Sequence, residues 1–98
     1  EIINWGESPD FDIIINATSL GLKKNDEINL NYSETIKNKL FYDIIYNPNR
    51  TQFLSKARQL GGKIENGKMM FIYQAHQSFA IWHKISPNIN STTIKLLD

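Results

Sequence analysis

Several polar side chains of this 98-residue sequence stand inside or directly after apolar runs, where a hydrogen-bonding group needs a partner. Asn16, Thr18 and Ser19 follow the run of isoleucines at residues 13–15, and Gln74 lies in the apolar stretch after Gly67. An amide or hydroxyl that is removed from water is paired either with a neighbouring protein group or with a ligand. These residues are therefore candidates for binding a polar small molecule, with a structural role as the alternative.

Metal and thiol chemistry find little support in the sequence. His76 and His83 are seven positions apart, whereas paired metal ligands on a helix are typically four apart, so we predict no metal site. The absence of cysteine excludes disulfides, thiol catalysis and thiolate metal sites. We assign no catalytic residue to this chain.

Length and charge limit the remaining possibilities. Ninety-eight residues allow one domain with a modest core. Eleven basic residues nearly balance ten acidic ones, so no long-range field favours nucleic acid or an anionic membrane as a partner. No apolar run approaches the roughly 20 residues that span a bilayer, and no secretory signal pattern is present. We predict a cytoplasmic protein whose partners are small polar ligands.

The first half of the chain is predicted to contain mostly strands. Residues 1–5 form a short β-prone piece, and residues 11–17 form a strand whose unbroken isoleucines indicate cover on both faces. Residues 33–40 are predicted to make one or two helical turns capped by Ser33. Residues 40–46 form a second buried strand, which contains one aspartate and ends at a turn.

The second half adds helices in alternation with a strand. Thr51 is predicted to cap a helix that Gly61 and Gly62 end, and residues 63–65 form a very short strand. Gly67 permits a positive φ or a close backbone approach, and it opens a long helix that continues to about His83.

The long helix is apolar around most of its circumference, so we expect most of it to be buried. Asn90 or Ser91 is predicted to cap a last amphipathic turn. Alternation of strands and helices predicts a parallel α/β layer.

Three separated motifs, in this order and spacing, resemble the carboxyl-terminal part of shikimate dehydrogenase. They are Asp12-Ile13-Ile14-Ile15-Asn16-Ala17-Thr18-Ser19 with Gly21; Tyr42-Asp43-Ile44-Ile45-Tyr46 with Asn47-Pro48; and Asn66-Gly67 with Met70 and Gln74-Ala75. The resemblance covers nearly the whole chain.

The resemblance implies a fold and a division into domains. Residues 1–98 would be the later half of a dinucleotide-binding domain, with the closing helices at residues 69–98 and without the family's N-terminal substrate domain. The expected fold is a partial Rossmann-like, three-layer α/β domain, with three to four parallel strands and flanking helices.

The resemblance also implies an activity for the complete enzyme. The family reduces 3-dehydroshikimate to shikimate with NADPH, in aromatic amino acid biosynthesis. A quinate-using relative and a non-catalytic nucleotide-binding or interaction module are the alternatives. The family's catalytic lysine and aspartate and its glycine-rich phosphate loop are absent from these residues, so we expect the chain alone to be inactive.

Matching the motifs residue by residue implies which side chains meet each ligand. NADP would contact Asn16, Ala17, Thr18, Ile44, Gly67 and Met70. Shikimate would contact Tyr46 and Gln74. We also expect the isolated chain to self-associate through an open sheet edge or through the face of the long helix.

Overall fold

Three parallel strands and three helices make up the computed structural model, which describes residues 2–7, 10–28, 30 and 36–98. The strands β1 (Ile13–Asn16), β2 (Leu40–Asp43) and β3 (Lys63–Glu65) form one sheet in the order β1-β2-β3. The helices are α1 (Gln52–Gln59), α2 (Lys68–His83) and α3 (Ser91–Lys95). The predicted parallel α/β fold with flanking helices is confirmed.

The core lies between α1 and one face of the sheet. Ile14, Phe41 and Ile64 are register partners across the three strands, so their side chains share one face. Phe53 and Ala57 of α1 belong to the same apolar cluster. The apolar face of α1, set by the helical period, therefore packs on the apolar face of the sheet, set by the alternation of strand residues. Together they form one buried layer.

The opposite face of β1 is open, so the prediction of a strand covered on both faces is wrong. Ile13 and Ile15 are 56% and 59% exposed. Successive strand residues face opposite ways, and α1 covers only the face that carries Ile14. Within the described residues, no element buries the two outer isoleucines.

Two predictions before β2 also differ from the structure. Residues 2–5 form no strand, because a short isolated segment without a pairing partner is not stable, and Glu1 lies outside the described residues. Residues 33–35 of the predicted helical turns lie outside them as well. Residues 37–39 are not helical, because Asn38 adopts a left-handed backbone (φ 67°) that turns the chain into β2.

Helix α1 begins and ends where the sequence predicts. The Thr51 Oγ1 accepts a hydrogen bond from the Leu54 N–H (3.4 Å), which satisfies one free donor of the first turn. After Leu60 the chain reverses through Gly61 at φ 89°, and the Gly62 N–H donates to the Ala57 carbonyl (2.9 Å). The predicted cap and the predicted stop are both confirmed.

Helix α2 has the predicted bounds but not the predicted burial. Ile72 is its buried residue, whereas Phe79 and Trp82 are exposed, so the expectation that most of its circumference is buried is wrong. The first turns lie against the loop after β2. The second half faces the segment that follows it, through a contact between His76 Nε2 and the Pro87 carbonyl (2.8 Å).

The last residues fold back toward the start of α2. Asn90, one of the two predicted caps of α3, accepts from the Thr93 N–H through its Oδ1 (3.0 Å). Asp98 forms an ion pair with Lys68 in the first turn of α2. Across the part of the chain that the structure describes, no helix has the length and apolarity needed to cross a membrane.

Candidate cofactor and substrate site

Two polar side chains meet where β1 and β2 end. Asn16 and Asp43 are register partners, so both lie at the carboxyl edge of the sheet. Both are buried, and Asn16 Nδ2 donates to Asp43 Oδ1 (3.2 Å). Ligands of open α/β sheets bind beyond the carboxyl ends of the strands, which makes this edge the candidate site.

The Asn16 side chain fixes the loop after β1. Its Oδ1 accepts from the Thr18 N–H (3.0 Å) and from the Thr18 hydroxyl (2.7 Å), and its Nδ2 also donates to the Leu20 carbonyl (3.0 Å). The Leu20 N–H in turn donates to Thr18 Oγ1 (3.1 Å). Both ends of the Asn16 amide are therefore engaged within the protein, and they hold the loop of residues 16–20 in one shape.

A cleft of about 580 Å³ opens beside this loop. Its lining combines the loop after β1 with the loop after β2: Ala17, Thr18, Ser19, Leu22, Ile44, Ile45, Tyr46 and Asn47. Four of the eight predicted contact residues, Ala17, Thr18, Ile44 and Tyr46, thus lie around one cavity. Gly67, Met70 and Gln74 do not line it, and Asn16 lies buried behind it.

Gly67 joins α2 to the wall of this cleft. A Cβ atom at position 67 would lie 1.8 Å from the Ile44 carbonyl oxygen and 2.4 Å from its carbon, so no side chain fits. Its N–H donates to the Ile45 carbonyl (3.2 Å). Gly67 has φ −83°, so close backbone approach, one of the two predicted reasons for glycine, is the one that applies.

An aromatic stack makes a second connection between α2 and the cleft. The rings of Tyr46 and Phe71 have centroids 4.6 Å apart and an interplanar angle of 28°. Met70 directly precedes Phe71, and Gln74 is one helical turn after Met70, so both lie on the first turns that this stack orients. The Gln74 side chain is exposed and makes no hydrogen bond within the described structure.

The lining of the cleft suits binding. Aliphatic groups of Ala17, Leu22 and Ile44 provide an apolar wall, while the hydroxyls of Ser19 and Tyr46 provide polar contacts. The residues that line this cleft include no carboxylate, imidazole or amine that would move a proton near neutral pH. Likewise, no cluster of three or more His, Asp or Glu side chains that would hold a metal ion occurs among the described residues.

Comparison with known sequences shows which family the chain resembles. No protein-family model matches the chain. It is 63% identical over all of its 98 residues to the shikimate dehydrogenase (NADP(+)) of Pelagibacter ubique (strain HTCC1062). The family that the chain matches is shikimate dehydrogenase. The chain spans about a third of the length of the curated shikimate dehydrogenases it matches, between 30% and 37% of each.

Solved structures carry the same fold. A shikimate dehydrogenase crystallised in complex with NADP+ superposes with a TM-score of 0.70 at 35% identity, over 88% of this chain and 30% of that one. A ligand-free 5-ketofructose reductase of Gluconobacter sp. strain CHM43 also gives 0.70, at 27% identity, over 94% of this chain and 34% of that one. The Rossmann-like fold is thus common to the shikimate dehydrogenases and to a reductase with a different named substrate. The fold alone therefore does not determine the substrate.

Sequence reasoning assigns no role in the site to two residues. Asp43 lies in an apolar strand and in one of the motifs that carry the resemblance, and Phe71 lies in the apolar long helix. A charged residue in an otherwise apolar run was the available signal for Asp43, because a buried carboxylate needs several donors. Nothing local marks Phe71, since its partner Tyr46 lies on another element.

Proposed function

We infer that this chain forms the nicotinamide side of the active site in an NADP-dependent shikimate dehydrogenase, which reduces 3-dehydroshikimate to shikimate. The observation that carries this proposal is the cleft in which Ala17, Thr18, Ile44 and Tyr46 converge beyond the ends of two parallel strands. The 63% identity to a shikimate dehydrogenase (NADP(+)) over the full chain supports it.

The proposal assigns residues 1–98 to the later half of a dinucleotide-binding domain, with closing helices at residues 69–98. A separate substrate domain and the phosphate loop would belong to the complete enzyme. The open face of β1 and the exposed end of α2 agree with this division, because both are apolar surfaces that a larger protein would cover. The cytoplasmic location predicted from the sequence remains part of this proposal.

The residues around the cleft suit a nicotinamide ring. A flat aromatic group needs an apolar surface, which Ala17 and Ile44 supply. Gly67 lets α2 begin directly against Ile44, because no side chain separates the two backbones. Thr18 lines the cleft while its hydroxyl is held by Asn16. Met70 would close the same region from α2, and Asn16 would act by fixing the loop that carries Ala17 and Thr18.

Substrate recognition falls to Tyr46 and Gln74. Neither the Tyr46 hydroxyl nor the Gln74 amide has a hydrogen-bond partner in the described structure, so both can bind the hydroxyls of a polyol acid. When bound, NADPH supplies the hydride that reduces the carbonyl carbon. The chain's own contribution is to orient the two reactants and to exclude water from the apolar wall.

A chimeric enzyme tests the proposal directly. This chain replaces the matching 98-residue segment of the Pelagibacter relative, with which it aligns over its full length. We expect NADPH oxidation that depends on 3-dehydroshikimate, at a rate within about tenfold of the parent enzyme. A folded chimera that binds NADPH but reduces no 3-dehydroshikimate would overturn the assignment. Parallel assays with quinate and 5-ketofructose test the alternative substrates.

A further inference from the structure

Asp43 is the most completely buried polar side chain near the cleft. Its exposed fraction is 0%, yet it lines neither the cleft nor any other described opening beside it. A carboxylate removed from water is costly unless donors surround it. The hydrogen-bond partners of Asp43 therefore indicate the role of its side chain.

Three donors converge on this carboxylate from three parts of the chain. The Ile45 N–H and Asn16 Nδ2 donate to Oδ1 (3.0 and 3.2 Å), and the Thr51 hydroxyl donates to Oδ2 (2.6 Å). Ile45 belongs to the loop after β2, Asn16 begins the loop after β1, and Thr51 caps α1. Oδ1 thus links the two loops that form the cleft, while Oδ2 is bound to the residue that caps α1.

Both loops carry residues that line the cleft, so the position of the Asp43 carboxylate affects the shape of the cleft. The Asn16 amide that donates to Asp43 also holds Thr18 and Leu20, so its orientation sets the loop of residues 16–20. The Ile45 N–H lies between Ile44 and Tyr46, the two lining residues of the loop after β2 that have predicted ligand contacts. A shift of the carboxylate would change the distance between the opposite walls.

We propose that Asp43 is a positioning residue, whose carboxylate sets the separation of the two loops that line the cleft. The assignment of ligands rests on the proposed function, but the control of loop geometry does not. Hydrogen bonds to a buried charged group are among the stronger ones in proteins, so this tie resists displacement.

The test uses Asp43→Asn in the chimeric enzyme. An asparagine of the same shape has no charge and only one acceptor oxygen, so it can accept from the two wall donors or from the Thr51 hydroxyl but not from all three, and each bond that it keeps is weaker. Ala57→Gly is the matched control, because it destabilises α1 in the core away from the cleft. Both variants are measured well below their midpoints of thermal unfolding.

Two readouts separate the proposal from general destabilisation. We expect Asp43→Asn to speed hydrogen exchange at the Ile45 and Thr18 amides at least tenfold beyond the change in Ala57→Gly. We also expect it to lower kcat/KM for 3-dehydroshikimate by roughly 10- to 100-fold, while Ala57→Gly stays within about threefold. Unchanged exchange at both amides relative to the control would overturn the proposal.

The exchange readout remains valid if the chimera has no dehydrogenase activity, so failure of the proposed function is distinguishable from failure of this inference. If Asp43→Asn yields no folded protein, Asp43→Ser serves as the second variant, since its hydroxyl retains one acceptor in a smaller volume. Faster exchange at the same two amides supports the tie, and unchanged exchange contradicts it.

Discussion

The backbone of Gly67 rests against Ile44 so closely that a single added carbon would lie 1.8 Å from the Ile44 carbonyl oxygen. This contact joins the start of α2 to the loop that lines the cleft. It explains glycine at this position by packing, since the φ of −83° is open to any residue. The geometry of the cleft and the direction of α2 are therefore coupled.

Gly67→Ala in the chimeric enzyme should displace the start of α2. The overlap involves backbone atoms that cannot rotate away, so we expect a loss of stability of about 3 kcal/mol or more, together with weaker NADPH binding. Urea unfolding and fluorescence titration with NADPH measure the two effects. Gly61→Ala is the control: its left-handed backbone should cost about 1–2 kcal/mol, but the NADPH dissociation constant should not change. Equal NADPH binding in both variants would contradict the coupling.

Phe71→Leu should weaken substrate binding without touching the substrate. The stack on Tyr46 is worth about 0.5–1.5 kcal/mol, so its loss should raise KM for 3-dehydroshikimate roughly two- to tenfold. Steady-state kinetics checks this. Phe79→Leu is the matched control on the same helix, because the Phe79 ring packs on His83 and should leave KM unchanged. Equal changes in the two variants would show that helix stability, rather than the stack, is responsible.

Gln74→Ala should affect the substrate far more than the cofactor. If its amide binds a shikimate hydroxyl, the loss is about 1–3 kcal/mol, which raises KM for shikimate roughly 5- to 100-fold. KM for NADP should stay within about twofold. Gln59→Ala, an exposed glutamine at the end of α1, is the control. Similar increases for both ligands, or none for either, would count against the substrate role.

The isolated chain of 98 residues should have no dehydrogenase activity and should bind NADPH weakly. It lacks the lysine, aspartate and phosphate loop that the resemblance implies for the complete enzyme, and the cleft offers only one side of a binding site. Turnover assays with shikimate and NADP, together with calorimetric titration, test this. Measurable turnover by the purified chain would refute it.

The isolated chain should also self-associate. β1 pairs with β2 on one side only, and Ile13 and Ile15 expose an apolar surface beside its free edge within the described structure. Exposed Phe79 and Trp82 on α2 offer a second apolar surface. We expect a two-fold dimer or a larger assembly by sedimentation at micromolar concentration, and a shift toward monomer for Ile15→Lys. A wild-type chain that sediments as a monomer throughout would exclude this association.

Local signals in the sequence determined the order of the observed elements and the bounds of the helices, whereas β1 and β2 are shorter than the strands predicted at residues 11–17 and 40–46. Thr51 caps α1 because its hydroxyl reaches an N–H three residues away, and Gly61 ends that helix through its own backbone freedom. The bounds of β3 and α2 likewise agree with the pattern. Such signals depend only on residues within a few positions, so they can be recognised in the sequence without knowledge of the fold.

Tertiary structure decided what those local signals could not. Asp43 meets Asn16 across 27 positions because β1 and β2 pair in parallel. Gly67 meets Ile44 because β2 and β3 also pair in parallel, which brings the ends of these two strands together. Apolar composition predicted burial for Ile13 and Trp82, but burial requires a second surface, and α1 covers only one face of the sheet. The sequence indicates which polar and apolar side chains need a contact partner, whereas the arrangement of the helices and strands determines which partner each side chain contacts.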